Sequence, residues 1–489
     1  MVAKNVLIGF FLCLLGTTAF ATTRSPRLGG NPEFCNLQRL GTTQPSQRLE
    51  FEGGSIERWD VNNEEQLQCV GVEPSRVTIQ PNSLLVPNFH PTPLLVFIER
   101  GEGIIGVHLP GCAETFDTGV QGQQQQQQQP RRMRQQGQQV FGSEQTDSHQ
   151  KVHRFQQGDI IAIPAGVVHW AYNDANQEVV AIVMNDINNP NNQLDMQPRT
   201  FLLAGGVTSQ HIQGQMRIPR SQQGQGPQYR QGSRGPQYQQ GGLNIENIFS
   251  GFDTELLAEA FNAEPETIAN MQRSTERGVI VQVREPMRFV TPDEQQQFQR
   301  SPANGLEEKI CSSKIFYNLD NQREADIFSE QAGKLNMVNE HKLPILSYMD
   351  LAAEKGHLQQ NALLSPHWSI NSHTVVYVLN GDARIQTVSN NGEAVMDQQV
   401  NRGDIFVIPQ FFATTAQAGQ NGFEWVAFKT NKSPMKSPVA GYTSVFRAMP
   451  LDVITNAYDI SPSQAQNLKT NRETESMLFS PQRTSRIPY

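Results

Sequence analysis

An internal duplication constrains the fold of this chain more than any other feature of its sequence. The segment LLVFIERG at 94–101 resembles TVVYVLNG at 374–381, and GDIIAIP at 158–164 resembles GDIFVIP at 403–409 even more closely. The first pair is offset by 280 residues and the second by 245, and the difference is about the length of a Gln-rich stretch near 121–150. One unit has therefore been duplicated, and its first copy carries an insertion.

Both copies have the local pattern of short β-strands. Runs rich in Val, Ile and Phe alternate with Gly, Pro and Asn turns, and each GDI segment indicates a turn, a strand and then a proline that ends the strand. Many short strands separated by close turns favour a sandwich or a barrel over a parallel sheet. The sequence therefore predicts a mainly β protein with two tandem strand-rich units.

Helical signals follow each strand-rich copy. After Asp253, which can cap a helix, apolar residues recur at helical spacing, namely Leu256, Leu257, Ala260 and Phe261. The same spacing follows Pro450, in Val453, Ile454, Ala457 and Tyr458. Ser461, Pro462 and Gln464 then supply an N-cap, a first-position proline and a capping-box glutamine. Each copy is therefore predicted to end in a helical arm, and a neighbouring subunit is a natural surface for its apolar face.

Three stretches rich in Gln, Gly and Arg are predicted to be disordered: 121 to about 150, about 213–242 and about 291–304. They contain almost no aliphatic residues, so they cannot offset the entropy cost of becoming ordered. Polyglutamine can drive aggregation. The simpler interpretation is that these stretches are solvated loops whose side-chain amides add nitrogen without disturbing a core.

The amino terminus and the net charge limit the compartment and the partners. Lys4 precedes a short apolar run at 6–15 and an Ala-Phe-Ala step at 19–21, which is typical of a secretory signal cleaved near Ala21. That run is too short to span a bilayer. The net charge is −8, and the sequence contains no basic cluster of the kind that binds nucleic acid. We therefore expect a soluble secreted chain with neither a membrane nor a nucleic acid as partner.

The cysteine content agrees with an oxidising compartment. Removal of the signal leaves an even number of cysteines: Cys35, Cys69, Cys112 and Cys311. Four cysteines permit three pairings, and their spacing alone does not choose among them. The sequence has no C-x-x-C pair and no nearby His-x-x-x-His, so a structural zinc site is not expected.

The segment 158–173 carries a specific fold motif. Its defined positions match the second signature of the cupin superfamily throughout: Gly158, Pro164, Gly166, His169 and Asn173. This resemblance implies that each copy is a jelly-roll β-barrel. The expected fold is therefore two tandem cupin barrels, each followed by a helical arm, with Gln-rich inserts.

In metal-dependent cupins that histidine is a ligand, and a first signature supplies His-x-His and a downstream Glu. Counting back from Gly101 places Asn88, His90 and Leu95 at those positions, so one histidine remains and the carboxylate is absent. His90 and His169 could hold copper or zinc weakly. The alternative is that both are hydrogen-bonded relics of a barrel interior. Because catalytic metals usually have at least three protein ligands, we expect no cofactor.

The second copy departs further from the cupin signatures. Counting back from Gly381 puts other side chains at the ligand positions, namely Trp368, Ile370 and Val375. The later signature has Phe411 for Gly, Thr414 for His and Ala418 for Asn. His367 and His373 fall out of register and are interpreted as incidental. A barrel mouth lined by Trp, Ile, Val and Thr is not expected to bind a divalent ion.

A second specific motif lies between the copies. The string NGLEEKIC, from Asn304 to Cys311, resembles the processing site of legumin-type 11S seed storage globulins, in which an asparaginyl endopeptidase cuts after Asn. It follows a stretch predicted to be disordered, where cleavage is tolerated. IFSGFD at 248–253 and RAMP at 447–450 extend this resemblance over nearly the whole mature chain. The expected cut lies between Asn304 and Gly305.

The resemblance implies the function and its organisation. It pairs Cys112 with Cys311 across the cut, and Cys35 with Cys69 within the upstream piece. It implies a storage precursor that enters the secretory pathway, assembles as a trimer, is cut in the protein storage vacuole and stacks into a hexamer. One departure is the charge of 305–489, which has 16 basic and 18 acidic residues where this family usually has a basic piece.

The predicted organisation has six parts. They are a signal peptide at 1–21, an N-terminal barrel at 22–242 with inserts at about 121–150 and 213–242, a helical arm at 243–290, a linker at 291–304, a C-terminal barrel at 305–445 and a C-terminal arm and tail at 446–489.

Two other classes of function compete with storage. A metal-dependent bicupin enzyme, such as a decarboxylase or dioxygenase, would need a His-rich cluster with a carboxylate, and that set is incomplete. A ligand-binding cupin would hold a small sugar or hormone inside a barrel, but no polar constellation in the sequence indicates a particular ligand. A seed storage protein without enzymatic activity is the function that the sequence favours.

Overall fold

The structure is a computed structural model that describes residues 37–109, 115–117, 147–149, 152–195, 197–213, 245–287, 313–321, 323 and 325–481. Several predicted features lie outside these residues: the signal peptide, the processing site, every cysteine except Cys69, and most of the Gln-rich stretches. Within the first such stretch, Asp147–His149 is a short strand that pairs with Thr115–Asp117.

The first barrel consists of two antiparallel sheets. Its strands are β1 (Gln47–Phe51), β2 (Gly54–Arg58), β3 (Val72–Ile79), β4 (Ser83–Phe89), β5 (Leu94–Arg100), β6 (Glu102–His108), β7 (Thr115–Asp117), β8 (Asp147–His149), β9 (Val152–Gln156), β10 (Asp159–Ile163), β11 (Val168–Asn173), β12 (Val179–Asp186), β13 (Phe201–Leu202), β14 (Ile212–Gln213), β15 (Ile280–Gln282) and β16 (Phe316–Asn318). One sheet has the order β14-β1-β2-β3-β12-β5-β10-β16, and the other has the order β13-β4-β11-β6-β9, with β15 also on β4. The pair β7–β8 stands apart.

The second barrel repeats this arrangement with longer strands. Its strands are β17 (Ile327–Ser329), β18 (Gly333–Val338), β19 (Ala352–Leu358), β20 (Leu363–Ser369), β21 (Thr374–Val388), β22 (Ala394–Asn401), β23 (Ile405–Ile408), β24 (Ala413–Lys429), β25 (Lys436–Pro438) and β26 (Leu478–Phe479). β21 corresponds to β5 and β6 together, so a single ten-stranded sheet curls round the core. Met184 of β12 pairs with Leu95 of β5, and Phe428 of β24 pairs with Val375 of β21. Because Leu95 and Val375 are equivalent positions of the duplication, β12 and the last part of β24 correspond residue by residue.

Most of the helices follow one of the two barrels, as the apolar spacing predicted. The α-helices are α1 (Glu65–Val70), α2 (Thr254–Phe261), α3 (Pro265–Gln272), α4 (Leu346–Met349), α5 (Val445–Ala448), α6 (Leu451–Tyr458) and α7 (Pro462–Thr470), and 3-10 turns span Ser209–His211, Ile248–Gly251 and Arg273–Arg277. None of the helices in the described ranges is long and apolar enough to cross a membrane. The predicted fold, two jelly-roll barrels with helical arms, is confirmed.

A shared apolar core joins the barrels. Buried side chains of both, such as Ile161, Val375 and Tyr377, belong to one continuous cluster. The Tyr377 hydroxyl also donates a hydrogen bond to Oε2 of Glu99 at 3.1 Å. Burial of each large apolar side chain contributes about 1.5–3 kcal/mol, so the two barrels stabilise each other.

Each barrel also contacts a segment that belongs to the other half of the chain. Leu40 N donates to Val395 O, and Thr43 N to Ile405 O, both at 2.8 Å, so the upstream end lies on the second barrel. In return, β16, which follows the predicted cut, pairs with β10 of the first barrel. Ile315 and Leu319, on either side of β16, are buried in the core that contains the first barrel. The two halves are therefore interleaved.

Candidate functional site

The cavity of the first barrel brings together the histidines of the cupin signatures. His169 lies on β11 and His90 directly follows β4, and their rings stack with centroids 5.7 Å apart and planes 23° apart. Asn88 lies beside them, because it pairs with His169 across the β4–β11 ladder. All three side chains line one cavity.

Hydrogen bonds to backbone carbonyls set the tautomer of both rings. Nδ1 of His90 lies 3.1 Å from the carbonyl oxygen of Arg199, and Nδ1 of His169 lies 3.2 Å from that of Val167. Since a carbonyl oxygen can only accept, each Nδ1 carries the proton and each Nε2 is an acceptor. Burial, with a smaller effect of His169, lowers the pKa of His90 to about 3, and burial lowers the pKa of His169 to about 4. Both imidazoles are therefore neutral at pH 7.

The donor set at this cavity falls short of a catalytic metal site. A neutral imidazole whose Nδ1 is held by a carbonyl can bind a metal through Nε2, so the two histidines suit copper or zinc chemically. The carboxylate that lines the cavity, Glu73, instead forms an ion pair with Arg58 at 3.0 Å. In the part of the chain that the structure describes, no group of three or more His, Cys, Asp or Glu side chains could hold a metal ion. Metal binding by His90 and His169 stays a prediction.

The position assigned to the absent carboxylate is wrong by one residue. Leu94 of β5 lines the cavity, whereas Leu95 is buried on the opposite face of the sheet. Successive side chains of a strand point to opposite faces, so Leu94 stands where an inward-pointing ligand would be.

The ligand register predicted for the second barrel is also wrong by one residue. Thr414 pairs with His367 across the β20–β24 ladder, just as His169 pairs with Asn88 in the first barrel. His367, rather than Trp368, therefore occupies the place of Asn88, and it lines the second cavity instead of being incidental. The cause is one additional residue: six residues separate His367 from Thr374 at the start of β21, whereas five separate Asn88 from Leu94 at the start of β5.

A buried charged cluster fills the interior of the second barrel, where Trp, Ile, Val and Thr were expected. Glu354, Lys429 and Lys436 line a cavity of about 30 Å³ together with His367 and Thr374. Nζ of Lys436 forms an ion pair with Glu354, and Nζ of Lys429 donates to Oγ1 of Thr374 at 2.9 Å. The lining of this cavity is thus mixed polar and apolar.

The pKa values in this cluster follow from burial and mutual charge. Burial alone would raise the pKa of the Glu354 carboxyl, but the ammonium groups of Lys429 and Lys436 together lower it to about 2. Burial lowers the pKa of Lys429 to about 7 against the opposing effect of Glu354. Burial, followed by the charge of Lys436, lowers the pKa of His367 to about 3.

The sequence contains a signal for this cluster that the motif analysis missed. Lys429 ends the apolar run WVAF at 425–428, and Glu354 stands on a strand that begins with two alanines and contains Gly356. Ionisable residues embedded in a buried strand must be paired. Both residues are therefore identifiable from the sequence alone.

The predicted processing and disulfide residues are only partly described. Cys69 of α1 is disulfide-bonded. No other cysteine lies among the described residues, so its partner lies outside them. Asn304, Gly305, Cys35, Cys112 and Cys311 all lie outside, so the cut and the pairings stay predictions.

Known proteins resemble this chain over nearly its whole length. The family model described as Cupin matches residues 40–208 and 317–466. The 11S globulin seed storage protein 2 of Sesamum indicum is 51% identical over 486 residues, covering 98% of this chain and 99% of the relative. The 11S globulin seed storage protein 1 of Carya illinoinensis is 42% identical over 515 residues, covering 99% and 98%. The crystal structure of the coconut allergen cocosin superposes with a TM-score of 0.74 at 34% identity, covering 92% of this chain and 100% of that one.

Proposed function

This chain belongs to the 11S globulin seed storage proteins of the cupin family and serves as a storage protein of the seed, and on that premise we propose how it is processed and packed. It is made as a disulfide-linked precursor, assembles as a trimer, is cut by an asparaginyl endopeptidase between Asn304 and Gly305, and stacks into a hexamer. Its storage compartment is the protein storage vacuole, reached through the secretory pathway. The signal-like segment at 1–21 supports that route.

The interleaving of the two halves supports cleavage without dissociation. The upstream segment that contains Leu40 and Thr43 lies on the second barrel, and the downstream strand β16 lies on the first. Loss of the 304–305 peptide bond leaves all of these contacts in place. A disulfide between Cys112 and Cys311 would add a covalent tie across the cut.

An SDS gel of protein from its native tissue, run with and without reductant, tests the processing. We expect one band near the full mass that splits into two on reduction, with a new amino terminus at Gly305. An Asn304→Gln variant is the matched control and should remain a single chain under both conditions. A single uncleaved native chain would remove the proposed cut.

The helical arms support assembly with further copies of the chain. In α2, Leu257 is buried against its own subunit while Leu256 is 58% exposed, and in α6, Ile454 is buried while Tyr458 is 54% exposed. Val453 is also exposed. Each arm thus presents a second apolar face, of the kind that subunit interfaces bury.

Charge substitutions on these faces test the assembly. We expect Leu256→Glu combined with Val453→Glu to convert the oligomer to single chains, measured by light scattering after size exclusion. Because both side chains are exposed in the single chain, its own unfolding transition should change little. Gln420→Glu, at an exposed position of β24, places one such charge elsewhere and should leave the oligomer intact. An unchanged oligomer in the double variant would refute the role of the arms.

We further propose that the chain has no catalytic role. In the first barrel, Leu94 stands where an inward carboxylate ligand would be. In the second barrel, Glu354 is paired with Lys436 and is not free to hold a metal. Turnover of oxalate or a related acid by a manganese-loaded or iron-loaded sample would contradict this.

A further inference from the structure

The interior of the first barrel contains a cavity of about 160 Å³. Its walls are mostly apolar and come from both sheets, including Val77 and Ala181 of one sheet and Leu85 and Ile105 of the other. An apolar engineered cavity of about 150 Å³ binds benzene. The volume in this barrel therefore admits one six-membered ring with a small substituent.

The duplication provides an internal control for this cavity. Ala181 pairs with Val77 across the β3–β12 ladder, and the pair at the same place in the second barrel is Trp425 and Gly356. The indole occupies that space in the second barrel, and Gly356 makes room for it, because a Cβ there would lie 2.0 Å from Cζ2 of the ring. The second cavity measures only about 30 Å³. The open volume is therefore a property of the first copy and not of the fold.

The polar part of the cavity lining includes buried hydrogen-bond acceptors, and its one guanidinium among the described residues is paired. Nδ1 of His90 and of His169 is engaged by a backbone carbonyl, which leaves both Nε2 atoms as acceptors. Asn88 donates its amide to Val86 O at 2.9 Å and keeps its side-chain oxygen as an acceptor. The guanidinium of Arg58, which also lines the cavity, is paired with a buried carboxylate. This lining suits a neutral donor and not an anion.

We propose that the first barrel binds a small neutral ring compound carrying one hydroxyl or N–H donor, of the size of phenol. The ring packs against Val179 and Ala181, and the donor bonds to Nε2 of His90 or His169. The ring gains van der Waals contacts with the apolar walls, and its donor pairs with a buried acceptor. The site is separate from processing and assembly, and it does not rest on either.

Calorimetric titration of the full chain with phenol, benzene and benzoate tests the proposal. We expect phenol to bind once per chain with a Kd of about 1 mM or tighter, benzene about tenfold more weakly, and benzoate not at all. The variant Val77→Gly/Ala181→Trp copies the pair of the second barrel and should abolish phenol binding. His169→Phe keeps the shape of the ring, removes an acceptor and should reduce the preference for phenol over benzene.

Four outcomes would overturn the proposal. They are no phenol binding to the wild type, equal binding of phenol and benzene, binding of benzoate as tight as that of phenol, and unchanged phenol binding in the cavity-filling variant. A thermal unfolding scan checks that each variant is folded. If Val77→Gly/Ala181→Trp does not fold, Val179→Phe, which copies Phe423 of the second barrel, fills the same volume and replaces it in the test.

Discussion

At the scale of single residues, the charged cluster of the second barrel shows how a buried ion pair shapes its surroundings. Glu354 and Lys436 are almost fully buried and form an ion pair, and Lys429 lies in the same small cavity. Desolvation opposes each of these charges, so the group is stable only because the charges offset one another. Loss of one partner must therefore cost more than the pair contributes.

Glu354→Gln tests this dependence. The substitution leaves two lysines in a buried space without a counter-charge, so we expect the free energy of unfolding at pH 7 to fall by about 3–5 kcal/mol, measured by urea denaturation. Adding Lys436→Met to this variant removes one of the two charges and should recover part of the loss. A change below about 1 kcal/mol would be inconsistent with the buried pairing.

His367 makes the stability of the second barrel depend on pH. Its folded pKa of about 3 lies below the ordinary value of 6.5, so the unfolded chain binds more protons between those two values. The contribution of neutral His367 is fully present above about pH 6.5 and is lost as the pH falls to about 3.

Urea denaturation at a series of pH values measures this contribution. We expect the free energy of unfolding to fall by about 2–4 kcal/mol through His367 over that window. Other groups also titrate there, so the comparison is with His367→Gln, whose curve should be flatter by that amount. Parallel curves for the two proteins would contradict the assignment.

At the scale of secondary-structure elements, the caps of the arms were predictable because they are local. The Asp253 side chain accepts from the backbone N–H groups of Glu255 and Leu256 at 3.0 and 2.9 Å, and Ser461 and Gln464 form the predicted capping box. These contacts join residues at most three positions apart, so spacing alone identifies them. The prediction of both helix starts is confirmed.

Packing between neighbouring strands, in contrast, depends on pairs from distant parts of the chain. Ala181→Trp alone would force an indole against Val77, so we expect it to destabilise the protein by about 1–3 kcal/mol. Val77→Gly/Ala181→Trp fills the cavity as Trp425 does in the second barrel. A cavity destabilises a protein by about 24 cal/mol per Å³, so filling it should be stabilising. The glycine introduced into the strand offsets part of that stabilisation. We therefore expect a net stabilisation of about 1–3 kcal/mol.

Thermal and urea unfolding of the single and double variants check this expectation. The reverse change in the second barrel, Gly356→Val, is the matched control and should destabilise strongly, because Trp425 occupies the space that its side chain needs. A double variant less stable than Ala181→Trp alone would show that the two ladders do not pack equivalently.

At the scale of the whole molecule, the interleaved segments make the two halves one folding unit. Leu40 and Thr43 hydrogen-bond to the second barrel, and Phe316 pairs with Ile161 of the first. Leu37 and Leu319 are buried in the cores of the opposite barrels. Separation of the halves would expose this apolar surface and unpair two strand edges.

Protein cut after Asn304 and then reduced should therefore remain a single particle in native buffer. Size exclusion under reducing conditions measures this, and we expect separation only at urea concentrations that unfold the barrels. Thr43→Pro removes the backbone donor to Ile405 and should lower that concentration. Separation on reduction alone would show that the disulfide, and not the interleaving, holds the pieces together.

The sequence by itself determined the features that depend on short spacings between residues. The strand-and-turn pattern, the helix caps and the signature around His169 each depend on residues close along the chain, and the duplication is visible because short segments of this kind occur twice. At that range, backbone geometry converts spacing directly into structure. These features were sufficient to predict two barrels, their arms, and a first-barrel site that contains His90 and His169.

Only the tertiary structure decided which side chains face each other inside the barrels. One additional residue between His367 and the start of β21 places His367 in the second cavity, because a shift of one position in a strand reverses the face to which its side chains point. The pairing of Glu354 with Lys436, the open volume beside Ala181 and the exchange of end segments all join residues far apart in sequence. Such contacts depend on how the sheets close on each other, and local spacing carries no information about that.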